Sequence, residues 1–200
     1  MVKTIYLVRH GETDSKKQGK FQAHDTPINT NGINQANKCS VFFKNKNIDI
    51  IQSSPINRAT QTADILSKKL SIDYSINYDL QEIKNPKEIQ GKKYGDTDAD
   101  SKYRSWLSKL DRLESLGNQD EENYFDLFSR TTYILKDWER SEHDNILAVS
   151  HSVTIRSILS FILCNGVMSS QYIDIIQKIK VNNCNEVAIQ YSTSGWRIVI

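Results

Sequence analysis

Apolar positions along the chain follow two rhythms, one of strands and one of helices. Ile5-Tyr6-Leu7-Val8 is a short β-branched and apolar run that stops at Arg9-His10-Gly11, the pattern of a buried strand delivering side chains to its carboxyl end. A polar loop follows from Glu12 to Asn29, of a length that is usually functional or disordered. Behind Asn29 or Thr30 as cap, Ile33, Ala36, Ser40 and Phe43 fall at helical spacing. Ile48-Asp49-Ile50-Ile51 predicts a second strand, ending at Gln52-Ser53-Ser54-Pro55. From there Ile56, Ala59, Ala63, Leu66 and Leu70 form one helical stripe, with Pro55 suited to the first turn. Asp73 to Leu80 holds a third strand that lacks clean alternation.

Residues 83–122 break both rhythms. They are charged, punctuated by Pro86, Gly91, Gly95 and Gly117, and predict an insertion with one helix around Asp98 to Leu110. Helical spacing returns with Phe125, Phe128, Thr132, Leu135 and Trp138 on one face. Ile146-Leu147-Ala148-Val149 reads as a buried strand that ends, like the first, at a histidine, Ser150-His151. Val153 to Leu163 is helical. Glu186–Tyr191 and Trp196–Ile200 predict a hairpin at a sheet edge around a Ser-Thr-Ser-Gly turn. Strands alternating with helices imply an α/β sandwich with a mostly parallel sheet. No repeat or linker interrupts the chain, so one domain over residues 1–200 is expected, carrying the insertion at about 83–122.

Composition narrows the function classes. The formal charge is +2, from 26 basic and 24 acidic side chains, too balanced for a nucleic-acid or anionic-membrane partner. Attraction for anions must therefore be local. Cys39, Cys164 and Cys184 are widely spaced and form no Cys-x-x-Cys pair, which reads as free thiols rather than a disulfide framework or a metal site. The apolar run at Ile155 to Leu163 is broken by Arg156, Ser157 and Ser160. With the first strand starting at once, neither a signal peptide nor a membrane span is expected. The natural reading is cytoplasmic.

Three strand ends carry the candidate chemistry: Arg9-His10, then Ser53-Ser54-Pro55 leading to Arg58, then His151. A parallel sheet brings such ends to one edge, where ligands of open α/β sheets bind. Arginine forks hold phosphate oxygens bidentately, helix amino termini favour anions, and a neutral imidazole is a competent nucleophile near pH 7. Together they make a phosphate pocket with no metal and no cofactor.

The motifs resemble those of a known family. Thr4–Thr13 (TIYLVRHGET), Ser53–Ala63 (SSPINRATQTA), Val149–His151 (VSH) and the loop Asp25-x-Pro27-Ile28-x-x-x-Gly32-x-x-Gln35-Ala36 are similar, in order, to the histidine phosphatase superfamily, or phosphoglycerate mutase-like proteins. The resemblance spans roughly residues 3 to 165. It implies a three-layer α/β sandwich with a mixed, mostly parallel sheet flanked by helices. His10 would accept the phosphoryl group, Arg9, Arg58 and His151 would hold its oxygens, and Glu82 would donate a proton to the leaving group. Gln22, Ala23 and Lys16 would line the substrate site. A carboxyl beside bound phosphate is expected to have a raised pKa, and general acid help is worth roughly two to four orders of magnitude.

The departures from the family pattern are local. Lys16 stands where many members carry Asn, Ala23 where Gly often follows Gln22, and Ser152 where Gly usually follows the second histidine. After Glu82 the chain reads Ile-Lys-Asn-Pro-Lys-Glu-Ile-Gln-Gly rather than Gly-x-x-Glu-Gly. Glu12, Glu88 and Asp25 are alternative carboxylates for the acid, while His24 and His143 read as solvated loop residues. Lys16, Lys17 and Lys20 either steer an anion or form a solvated charge run. The reading that follows is a metal-independent phosphatase that passes phosphate monoesters of small metabolites through phosphohistidine. A mutase lacks its extended insertion here, and a phosphate- or phosphoprotein-binding regulator would not need both His10 and Glu82. Oligomeric state is left open by the sequence.

Overall fold

A computed structural model describes residues 2–15, 17–118 and 120–199. Among them, six strands form one mixed sheet: β1 (Lys3–Arg9), β2 (Ile50–Ser53), β3 (Tyr74–Ile76), β4 (Asn145–Ser150), β5 (Glu186–Ser192) and β6 (Gly195–Val199), in the spatial order β3-β2-β4-β1-β5-β6. The first four run parallel, and β5 and β6 are antiparallel additions on the far side of β1. This is the mixed, mainly parallel sheet that the alternation of strands and helices predicts.

The α-helices are α1 (Thr30–Phe43), α2 (Asn57–Leu70), α3 (Thr97–Leu107), α4 (Tyr124–Arg140), α5 (Ser152–Leu163) and α6 (Ser170–Lys178). Ala36 and Phe43 of α1, with Ala59, Ala63 and Leu66 of α2, pack on Val8, Ile51, Leu147 and Val149. The other set of sheet side chains, Ile5, Leu7, Ile146 and Ala148, meets Ile134, Leu135 and Trp138 of α4 and Ile155, Ile158 and Leu159 of α5. Alternate residues of β1 and β4 thus feed two cores, as expected of strands covered by helices on both faces.

Several elements differ from the sequence reading. β2 begins at Ile50, not Ile48, because the Asp49 carboxylate accepts the N–H groups of Asp144 and Asn145 and ties the run to the start of β4. Pro55 lies ahead of α2 rather than in its first turn. There the Ser54 hydroxyl accepts the Ile56 N–H and closes the bend between strand and helix. Asn29 is the cap of α1, its side chain accepting from Gly32 N at 2.8 Å. The third strand stops at Ile76, and Tyr78–Leu80 forms a 3₁₀ turn. On α4 the buried line is Tyr124, Leu127, Thr131, Ile134, Leu135 and Trp138, with Phe125, Phe128 and Thr132 only partly covered. Phe128 instead flanks Phe161 and Tyr172. Helix α6 is not among the predicted elements.

Residues 83–122 are more ordered than their composition suggests. A 3₁₀ turn at Lys87–Ile89 and helix α3 bury Ile89 and Ala99 against Phe21, while Ile83, Trp106 and Leu110 join Tyr124, Leu127 and Tyr172. All three cysteines are buried and unpaired, and no helix among the described residues is long and apolar enough to cross a membrane. Lys16, and Ile200 at the end of the predicted last strand, lie outside the described residues.

Candidate active site

Register aligns the strand ends. Arg9 of β1 pairs with Ser150 of β4, and Ser53 of β2 pairs with Val149. The next residues, His10, Ser54 and His151, therefore leave the sheet within one residue of the same level, each at a parallel strand's carboxyl end. His10 and His151 are 2% and 0% exposed, with ring centroids 5.1 Å apart.

Each group in the cluster is held in a defined state. His10 Nδ1 lies 2.7 Å from its neighbour's carbonyl, Gly11 O, and that acceptor requires the ring hydrogen to sit on Nδ1. The Nε2 lone pair then faces Arg58, whose Nε donates to it at 3.2 Å. Burial, followed by the charges of Arg58 and Arg9, pushes the His10 pKa down to about 3 despite the opposing Gly11 hydrogen bond. The ring is therefore neutral at ordinary pH. His151 behaves alike, held well below the usual imidazole range by burial and then by Arg58, His10, Arg130 and Arg9. Its Nε2 is 2.8 Å from Ser54 Oγ. That oxygen also accepts the Ile56 N–H and so holds the ring against the bend between β2 and α2.

The two arginines are anchored by backbone carbonyls. Arg58 Nη1 donates to Ala23 O at 3.1 Å, and Arg9 Nη1 to Val181 O at 2.8 Å. Burial pulls the Arg58 pKa down to about 10 and lowers that of Arg9, yet both stay cationic near neutrality. Two buried polar atoms of the cluster, Arg9 Nε and His151 Nδ1, have no hydrogen-bond partner among the described residues. Native proteins rarely leave buried polar atoms unpaired outside functional sites.

Glu82 follows the 3₁₀ turn and reaches α5. Its carboxylate accepts Val153 N at 3.1 and 3.2 Å, Thr154 N at 3.2 Å and Ile83 N at 3.1 Å. Helix α5 has no cap from its own N-cap residue, His151, so Glu82 supplies one from a distant segment. Its charge acts on both Arg9 and Arg58.

A cavity of about 340 Å³ adjoins this cluster. Gln22, Ala23 and His24 come to it from the first loop, Ile83, Lys84, Asn85, Lys87, Gln90 and Asp120 from the insertion, and Arg58, Gln81 and Glu82 from the cluster. Gln22 and Ala23 thus both line this cavity. His24, read from sequence as solvated, is exposed and lines it as well. The alternative carboxylates do not: Glu12 is held by Lys17, Asn29 and Asn31, Asp25 lines a different hollow, and Glu88 is exposed. Lys17 is already paired with Glu12 at 2.7 Å.

Support for the end of β1 comes from residues to which the sequence assigns no such role. Thr62 Oγ1 accepts Gly11 N at 3.0 Å, Asn183 Nδ2 donates to His10 O at 2.7 Å, and Cys184 N donates to Arg9 O at 2.8 Å. Gly11, just past the end of that strand, does not have a positive φ. Its role is close approach: a Cβ there would sit 2.7 Å from Gly32 O, and one on Gly32 would sit 2.4 Å from Glu12 O.

The sequence profile of the histidine phosphatase superfamily (branch 1) matches residues 5–200. A Hydrogenobacter thermophilus protein named for phosphoserine phosphatase is 30% identical over 161 residues, covering 79% of this chain and 77% of its own. The solved α-ribazole phosphatase of Shigella flexneri superposes with a TM-score of 0.78 at 20% identity, over 98% of this chain and 95% of the other. An Entamoeba histolytica phosphoserine phosphatase in complex with phosphoserine gives 0.71 at 24%, over 99% and 95%.

Proposed function

Because the chain belongs to the histidine phosphatase superfamily (branch 1), we propose that it hydrolyses phosphate monoesters of small polar metabolites through a phosphohistidine on His10, without a metal ion. The observation that carries this reading is the state of the buried cluster. A neutral imidazole sits with its Nε2 lone pair against one guanidinium, beside a second guanidinium and a second imidazole that each keep a buried polar atom without a partner among the described residues. Phosphoryl transfer needs in-line positioning and compensation of charge on the equatorial oxygens, and this cluster offers both.

In the first step the phosphate takes over the Arg58 donors, freeing the His10 lone pair. His10 Nε2 forms a bond to phosphorus as the ester P–O bond breaks. Arg9 and Arg58 hold the non-bridging oxygens with His151 Nδ1, which carries the ring hydrogen when Ser54 donates to Nε2, and Glu82 acts as the acid that passes a hydrogen to the departing oxygen. In the second step water attacks phosphorus and gives Glu82 a proton. The N–P bond breaks, and its electron pair returns to His10. The two guanidinium groups supply the positive charge that the transferring group requires, and His151 adds a neutral donor.

The cavity lining supports a compact, hydrogen-bonding leaving group. Four amides (Gln22, Gln81, Asn85, Gln90) and the Lys87–Asp120 pair meet there, with no Phe, Tyr or Trp among the described lining residues. The names of the relatives make phosphoserine one member of that class to assay. The cytoplasm, where unpaired thiols stay reduced, is the compartment we assign. A phosphate-release screen over metabolite monoesters, run with a chelator present, tests the proposal. Release that disappears in His10→Ala, with an acid-labile phosphoenzyme trapped in the wild type, is expected. Release that survives in His10→Ala would refute it, and transfer of phosphate between positions without release would indicate a mutase.

A further inference from the structure

Behind Glu82 lies a buried ion pair that the mechanism above does not use. Arg130 of α4 and Glu122, at the end of the insertion, are 9% and 8% exposed. They meet fork to fork, Nε to Oε1 at 2.9 Å and Nη2 to Oε2 at 2.8 Å. A buried pair of this kind is a poor source of stability, since desolvation offsets most of the attraction. What it holds is more telling. Arg130 Nη1 donates to the carbonyls of Asp79 and Gln81, just before Glu82. Glu122 Oε2 accepts Lys84 N at 3.0 Å, and Glu122 N donates to Lys84 O at 2.9 Å, just after it. The pair therefore grips the main chain on both sides of the carboxylate, while Glu82 itself hangs from the first turn of α5. Trp106 Nε1 donates to Glu122 O at 2.9 Å and ties helix α3 into the same brace.

We propose that Arg130 and Glu122 are positioning residues for proton delivery: together they fix where the Glu82 carboxyl stands relative to the leaving oxygen. The proposal rests on Glu82 acting as the acid. A misplacement of about 1 Å can cost a hundredfold in rate, and the acid contributes about 10²–10⁴-fold, so the effect is measurable. It is also selective. A leaving group that departs readily as an anion needs little help from Glu82, whereas a poorer one of similar size needs much.

The test compares kcat/KM, which reports the step that expels the leaving group, for p-nitrophenyl phosphate and phenyl phosphate. Arg130→Lys keeps the charge but loses the fork. It should slow phenyl phosphate about 30-fold and p-nitrophenyl phosphate less than about threefold. Glu122→Gln, nearly isosteric, should show a weaker loss of the same selectivity. Glu82→Gln should show it more strongly, and adding Arg130→Lys to it should change little further. Urea midpoints confirm that each variant is folded before rates are compared. An equal loss on both esters, additivity with Glu82→Gln, or no loss would overturn the inference and leave a purely structural brace. If the folded wild type hydrolyses neither ester, the reading of the site itself fails, and this inference falls with it.

Discussion

Two neutral imidazoles sealed beside two guanidinium groups should make this protein acid-sensitive in a calculable way. In the unfolded chain His10 titrates near 6.5, whereas in the folded protein its pKa is about 3. The unfolded state thus binds the proton that the native state excludes. The resulting stability is present above pH 6.5 and is lost as pH falls from there toward 3, at about 1.4 kcal/mol per pH unit. Between pH 7 and pH 5 the loss from His10 alone is about 2 kcal/mol. His151, fully buried and shifted in the same direction, adds to it, against a total of about 5–15 kcal/mol for an ordinary protein. Urea unfolding of the wild type and His10→Gln at both pH values isolates the effect. The glutamine variant should lose about 2 kcal/mol less on acidification than the wild type, whatever its stability at pH 7. If both proteins lose the same amount, His10 is not a buried neutral imidazole, and the tautomer argument for Nε2 attack goes with it.

Other outcomes follow from single contacts. Gly32→Ala forces a Cβ against Glu12 O at 2.4 Å and Glu12 N at 2.7 Å, both main-chain atoms. Thermal unfolding should register a loss of roughly 3 kcal/mol, and a melting temperature within 1 °C of wild type would contradict the packing. Thr62→Val removes the acceptor of the buried Gly11 N–H and should cost about 1–3 kcal/mol in urea unfolding, with Thr62→Ser restoring most of it. Ser54→Ala removes the hydroxyl that fixes His151. It should lower kcat/KM about tenfold, in line with one lost hydrogen bond, and an unchanged value would mean that the imidazole orients itself.

The legible part of this molecule was the part governed by local periodicity and by strand ends. β1, β4, α1, α5 and the final hairpin follow from apolar runs bounded by polar or turn residues. Arg9, His10, Arg58 and His151 stood out because each closes a strand or opens a helix, and the parallel sheet then brings three of those ends within one residue of the same level. Glu82 followed from the family resemblance, but its task of capping α5 did not, since nothing local links Glu82 to Val153. The same holds for Arg130 and Glu122, whose value lies in carbonyls and N–H groups they reach across the fold. The insertion was underrated for a related reason. Its few apolar residues bury themselves against Phe21, Tyr124 and Tyr172 rather than against one another, so no stripe is visible along residues 83–122.

Residues 181–184 carry a consequence for biosynthesis. They pin Arg9 and His10 from behind, through Val181 O, Asn183 Nδ2 and Cys184 N, and lie far downstream in the chain. A nascent polypeptide emerging from the ribosome exposes the Arg9-His10 strand first and must wait for that late segment to lock it. The cluster should therefore take its final form only after residues 181–184 have left the ribosome. Until then the His10 imidazole stands on a strand without the contacts that fix its position.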